Sequence, residues 1–254
     1  MNRLIVLLTD FGSGIYAGVM KGVIYRIHPR ARIVDLTHEV APQNIREGAW
    51  LLLQSYRYFP PESIFLSVVD PGVGSERACL AVRTSHYFFV GPDNGLLYPA
   101  VADDKCLKSV ALPVAPEASP TFHGRDVFAP AAARLAQGAS LEELGTPAAM
   151  RVPLVFYRQG RWGEIVTIDR FGNIITNLPP LPEASCYEVE VTRSGTTVIK
   201  EVLPCFRTYA EAPEGMLFAI TGSAGTLEIS LKNGSAAANL GVQTGDLIRM
   251  SLEK

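Results

Sequence analysis

The sequence lacks any Cys-x-x-Cys pair, any block of five or six like charges and any long apolar run. Each absence removes a class of protein. The four cysteines, Cys79, Cys106, Cys186 and Cys205, stand far apart among apolar neighbours. That excludes the spacings of structural zinc sites and of disulfide scaffolds, and predicts buried thiols with no metal. A formal net charge of -2 without charge blocks gives neither a nucleic-acid footprint nor a polybasic membrane patch. The first apolar run, Leu4 to Leu8, breaks at Thr9-Asp10, too short for a secretory core or a bilayer span. A cytoplasmic protein with a small-molecule or protein partner is expected.

What is present is an ordinary globular composition, 48% hydrophobic and 19% charged over 254 residues, enough for one large domain or two smaller ones. In the first part, apolar runs (Leu4–Leu8, Arg32–Leu36, Ile64–Val69) alternate with amphipathic stretches (Tyr16–Ile27, Ile45–Tyr56). This reads as β-α-β units around a mostly parallel sheet. Cys79–Val82 and His86–Val90 add strands. Asp126–Gln137 reads as a helix with Asp126 as N-cap, Pro130 in the first turn and Gly138 as stop. From about Val155 the pattern becomes short alternating runs punctuated by Gly, Asn and Pro, which predicts a small all-β barrel or sandwich. The pattern therefore predicts an α/β domain over residues 1–152 and a β-barrel domain over 153–254.

Two polar loops carry the strongest chemistry. Asp70-Pro-Gly-Val-Gly-Ser-Glu-Arg77 and Phe122-His-Gly-Arg-Asp126 put an acid, a guanidinium and an imidazole on glycine-rich segments, where backbone approaches a ligand closely. The bland alternatives are a turn for the first and a satisfied histidine for the second. Asp10-Phe-Gly-Ser-Gly-Ile-Tyr-Ala-Gly18 follows the first strand, but its glycines are misspaced for a dinucleotide fingerprint. Asp10 can accept from sugar hydroxyls at a strand end or cap the next helix. Asp169-Arg-Phe-Gly-Asn-Ile-Ile-Thr-Asn177 reads either as a hairpin with Phe171 in the core or as an aromatic and amides facing a planar ligand. Asn239–Asp246 reads as a turn into the final strand.

Together, Thr9-Asp-Phe-Gly12, Asp70 to Arg77, Phe122 to Asp126, Asp169 to Asn177 and Leu227-Glu-Ile with Asn233-Gly234 resemble the S-adenosylmethionine hydroxide adenosyltransferase family, in the same order over nearly the whole chain. The resemblance implies adenosine-forming hydrolysis of S-adenosyl-L-methionine, with no cofactor beyond the substrate itself. It further implies a homotrimer whose active sites lie between the N-terminal domain of one subunit and the C-terminal domain of the next. The family's water-activating set carries over onto Asp70, Arg77 and His123, and its ribose-binding acid onto Asp10. Its other substrate contacts carry over onto Asp169, Phe171, Asn173, Ser223, Glu228, Asn233 and Gly234. The related halogenases have other residues at the Asp70 and His123 positions. A halide-using adenosyltransferase and a non-catalytic nucleoside-binding protein are the competing readings.

Overall fold

A computed structural model describes residues 3–182 and 184–252. The chain forms two compact units, Met1–Leu154 and Val155–Lys254.

In the first unit the elements run β1 (Leu4–Thr9), α1 (Tyr16–Ile27), β2 (Arg32–Thr37), α2 (Ile45–Ser55), β3 (Ile64–Val68), β4 (Cys79–Thr84), β5 (Phe88–Pro92), α3 (Tyr98–Asp103), β6 (Cys106–Ala111), α4 (Ala129–Gln137) and β7 (Thr146–Pro147). One seven-stranded sheet has the order β2-β1-β3-β5-β4-β6-β7. Its first four strands are mutually parallel, and β4, β6 and β7 extend it as an antiparallel half. Side chains of β1 alternate between two apolar layers. Ile5 and Leu7 pack with Met20, Ile24 and Leu135 on one face. Val6 and Leu8 pack with Leu52, Tyr56 and Ala100 on the other. Burial on both faces is why this strand reads as a continuous apolar run.

Helix ends follow local chemistry. Asn44 caps α2, its side chain accepting from the Glu47 N–H at 3.1 Å. The helix expected from Asp126 begins instead at Ala129, and Gly124–Phe128 forms a single π-helical turn before it. Asp126 is therefore inside the turn and caps nothing. Its carboxylate accepts from the Ser119 N–H at 2.9 Å and pairs with Arg125, so the cap role is replaced by a loop tie. Pro130 does occupy the first turn, and Gly138, at φ 107°, ends the helix in the left-handed region.

Only Cys79 meets the expectation of buried thiols. Cys106 is exposed, and Cys186 and Cys205 are half-buried. Cys106 opens β6, whereas its outer neighbour β7 pairs only with Val110 and Ala111 and leaves that end uncovered.

The second unit is a closed barrel of β8 (Trp162–Ile168), β9 (Ile174–Thr176), β10 (Cys186–Arg193), β11 (Thr196–Phe206), β12 (Leu217–Thr221), β13 (Leu227–Leu231) and β14 (Leu247–Ser251), ordered β10-β11-β12-β13-β9-β8-β14. Tyr187, Val189 and Val191 point inward from β10, while Glu188 and Glu190 alternate with them. The expected plain turn before the last strand is preceded by a short helix, α5 (Ala236–Leu240). Ser235 caps it, and it buries Ala236 and Ala237 against the barrel core. Among the described residues no helix is long and apolar enough to cross a membrane.

Candidate active site

Parallel pairing of β1 with β3 sets Thr9 opposite Val68, so the chain leaves both strands at one edge of the sheet, with Asp10 and Asp70 close behind. Both acids line a cavity of about 570 Å³, and His123 lines it from the segment before the π-helical turn. Carboxyl ends of parallel strands are where such sheets open a crevice for ligands.

Asp70 is nearly buried, with 5% of its side chain exposed, and Arg77 covers it. Arg77 Nε donates to Asp70 Oδ1 at 2.8 Å, and Nη2 donates to Oδ2. The same Nη2 lies 3.1 Å from His123 Nδ1, and Nη1 donates to Cys79 Sγ at 3.0 Å. A guanidinium has only donors, so His123 Nδ1 must accept, which leaves the imidazole proton on Nε2. Burial, and then the Arg77 charge, hold the His123 pKa below its ordinary value against the opposing pull of Asp70 and Asp126. Burial also pushes the Cys79 thiol up, with Arg77 pulling the other way. The cluster is thus a neutral imidazole, a thiol and a carboxylate gathered around one cation.

The two loops that carry this set touch. Gly74 has φ 80°, and a Cβ there would run into the Pro120 carbonyl oxygen. Asp10, the third acid singled out, accepts from the Gln43 N–H at 2.8 Å through Oδ2 and does not cap α1. Its loop is further tied by Gly12 N–H to His38 O at 2.7 Å and by Thr9 Oγ1 to His38 Nδ1 at 2.8 Å.

In the barrel unit, Asp169, Phe171, Asn173, Asn233 and Gly234 line a second cavity of about 650 Å³ together with Tyr209, Leu231 and Lys232. Asp169 organises its turn. Oδ1 accepts from the Phe171 and Asn173 N–H groups at 2.8 and 2.9 Å, and Oδ2 from Asn173 Nδ2 at 2.8 Å. Phe171 is 71% exposed, which removes the reading that places it in the core. Asn233 donates through Nδ2 to Glu214 at 2.8 Å. Glu228 is buried and accepts from Tyr209 Oη at 3.0 Å; burial raises its pKa despite that bond, and nearby Asp169 adds to the rise. Tyr209 is itself pushed up to about 12 by burial and the Glu228 charge. Ser223 is exposed on the turn between β12 and β13 and is not among the residues around this cavity.

Three participants escaped sequence reading. Cys79 stands two residues after Arg77, a spacing that places side chains on one face of an extended chain, and this could have flagged it. Tyr209 and the cavity-lining ring of Tyr16 follow no local pattern, because only the fold brings them to their cavities.

Comparison with known proteins agrees along the whole length. The family model described as SAM hydroxide adenosyltransferase N-terminal domain matches residues 5–145, and its C-terminal counterpart matches 163–249. A protein named (R)-S-adenosyl-L-methionine hydrolase from Thermus thermophilus is 39% identical, over 98% of this chain and 99% of its own. A solved structure of an uncharacterized conserved protein from Thermotoga maritima superposes with a TM-score of 0.89 at 34% identity, over 97% of this chain and 100% of that one. A fluorinase from Nocardia brasiliensis is more distant, 26% identical over 98% of this chain and 97% of its own. With both domain models matched in order and the fold shared end to end, this chain belongs to the SAM hydroxide adenosyltransferase family.

Proposed function

We propose that this protein hydrolyses S-adenosyl-L-methionine to adenosine and L-methionine by in-line attack of water at C5′. The observation that carries this reading is that Arg77 clamps Asp70 and reaches His123, two residues that line one cavity with Asp10. The water oxygen forms the bond to C5′ as the C5′–S bond breaks, and the electron pair of that bond neutralises the sulfonium. Methionine leaves without needing a proton. The demand therefore falls on the nucleophile, which must be aligned and relieved of a proton.

His123 Nδ1 already accepts from Arg77, so Nε2–H serves as a donor that holds the attacking oxygen, and Asp70 receives the proton. Arg77 keeps the carboxylate in place through two parallel hydrogen bonds. Asp10, with Oδ2 fixed by Gln43, has Oδ1 to accept from a ribose hydroxyl. In the barrel, Phe171 and Asn173 supply a ring face and an amide edge suited to the nucleoside, alongside Asp169, Asn233 and Gly234. Glu228 acts from beneath through Tyr209, and Ser223 stands on a neighbouring turn.

The same reading includes a cytoplasmic homotrimer whose sites draw on the first unit of one subunit and the barrel of the next. Its support is that the two units match the N- and C-terminal domain models of the SAM hydroxide adenosyltransferase family, the family whose resemblance implies that arrangement. Mixing an Asp70→Asn protein with a separately inactive Asn173→Ala protein should restore part of the activity if sites are shared, and none if they are not.

The test of the reaction is incubation with S-adenosyl-L-methionine in water labelled with heavy oxygen. Label in adenosine supports attack at C5′. Unlabelled adenosine, or methylthioadenosine, overturns it. Addition of chloride should yield no 5′-chloro-5′-deoxyadenosine, since relatives named hydrolase are nearer in sequence than those named fluorinase.

A further inference from the structure

The first cavity has an aromatic wall that the proton chemistry does not use. Phe11, Tyr16 and Phe122 meet with ring centroids 5.6, 6.0 and 5.4 Å apart, each pair tilted or edge-on, and all three line the cavity that holds Asp70 and His123. Burial does not explain the arrangement, because Tyr16 is 52% exposed and Phe11 and Phe122 are only partly buried. Charge in the lining favours a cation. Asp10 is there as a carboxylate held by a neutral amide, while Asp70 is paired with Arg77 and the lining's basic side chain, Arg125, is paired with Asp126. Arg125 already lies over Phe122, its Cζ 5.3 Å from the ring centroid. Rings gathered at such distances form the kind of cage that binds alkylated onium groups.

We infer that Phe11 and Tyr16 recognise the positively charged sulfonium of the substrate and so determine specificity for S-adenosyl-L-methionine over its neutral thioether. The inference rests on the proposed function for the identity of the ligand. Their part is in binding: a ring face attracts the sulfonium but loses that attraction when the sulfur becomes neutral. The cage therefore selects the charged ligand and gains nothing from the neutral product.

The test compares S-adenosyl-L-methionine with S-adenosyl-L-homocysteine, which has the same nucleoside and amino-acid ends but no charge at sulfur. Phe11→Leu and Tyr16→Leu should weaken binding of the sulfonium by about tenfold, while affinity for the thioether changes less than about twofold. Tyr16→Phe, which keeps the ring, should retain the preference. Equal weakening for both ligands, or no weakening for either, overturns the inference. Calorimetry on the wild-type protein separates this from the reaction itself. A chain that prefers the sulfonium but releases no adenosine would refute the proposed hydrolysis and leave the cage standing; a chain that hydrolyses with no preference between the two ligands would do the reverse.

Discussion

Arg77 meets Asp70 edge to edge, Nε on Oδ1 and Nη2 on Oδ2, with both side chains more than nine-tenths removed from solvent. A paired charge at such depth is costly to leave alone. Arg77→Met should lower stability by about 3–5 kcal/mol, measured by denaturant unfolding. Asp70→Asn keeps the shape but removes the proton acceptor. It should cut adenosine release by about a hundredfold or more while substrate affinity changes little. Turnover within threefold of wild type in the Asn variant would refute the role given to Asp70.

The imidazole sets an acid limit. Burial and the Arg77 charge hold the His123 pKa below 6.5, so the neutral form that accepts from Arg77 persists as pH falls through that value. The corresponding stability is complete above the unfolded pKa of about 6.5 and is lost as pH falls through the lower folded one. The acid limb of turnover should accordingly lie below pH 6.5. In Arg77→Gln, whatever activity remains should show that limb at higher pH, because one of the two causes of the depression is gone.

Glu228 has the opposite sign. Its folded pKa is raised above 4.5, chiefly by burial, so its contribution is intact below 4.5 and diminishes as pH rises through the folded value. Glu228→Gln, which can still accept from Tyr209 Oη, should be more stable than wild type at pH 8. The gain should shrink toward pH 4.5, as read from thermal unfolding across that range. A gain independent of pH would contradict this account.

Two glycines separate local strain from contact between loops. Gly138 at φ 107° faces open space, so Gly138→Ala should cost about 1 kcal/mol and leave turnover unchanged. Gly74→Ala adds a collision with the Pro120 carbonyl to its positive φ. It should cost roughly 1–3 kcal/mol or more and lower turnover, since it parts the loop of Asp70 from the segment leading to His123.

Legibility in the sequence followed the range of the interactions. β1 is readable as an apolar run buried on both faces, and α1 and the barrel strands are readable because each buries a face with its own period, 3.6 or 2; none of these needs distant information. The π-helical turn is not, because one extra residue in a turn leaves no trace in apolar spacing, so the pattern points to a cap that Asp126 does not make. Asp70 with Arg77, seven residues apart on one glycine-rich loop, could be suspected of meeting. That Arg77 would fix the tautomer of His123, 46 residues on, depends on how the sheet and α4 stack. Cys106 misled for a related reason: its neighbours are apolar, but whether a strand's end is covered depends on the length of the strand beside it.

The pairing of β1 with β3 has one more consequence. Adjacent strands in a sheet lie about 4.8 Å apart, a spacing set by backbone hydrogen bonds and indifferent to side chains. Asp10 and Asp70 emerge from those two neighbours. The strand ends that launch the acid assigned to the sugar and the acid assigned to the water are thus held at a spacing that loop mutations leave in place. A nucleoside lengthened by one methylene between ribose and sulfur would fit the cavity yet place the wrong carbon before the water, and the protein should bind it without turning it over.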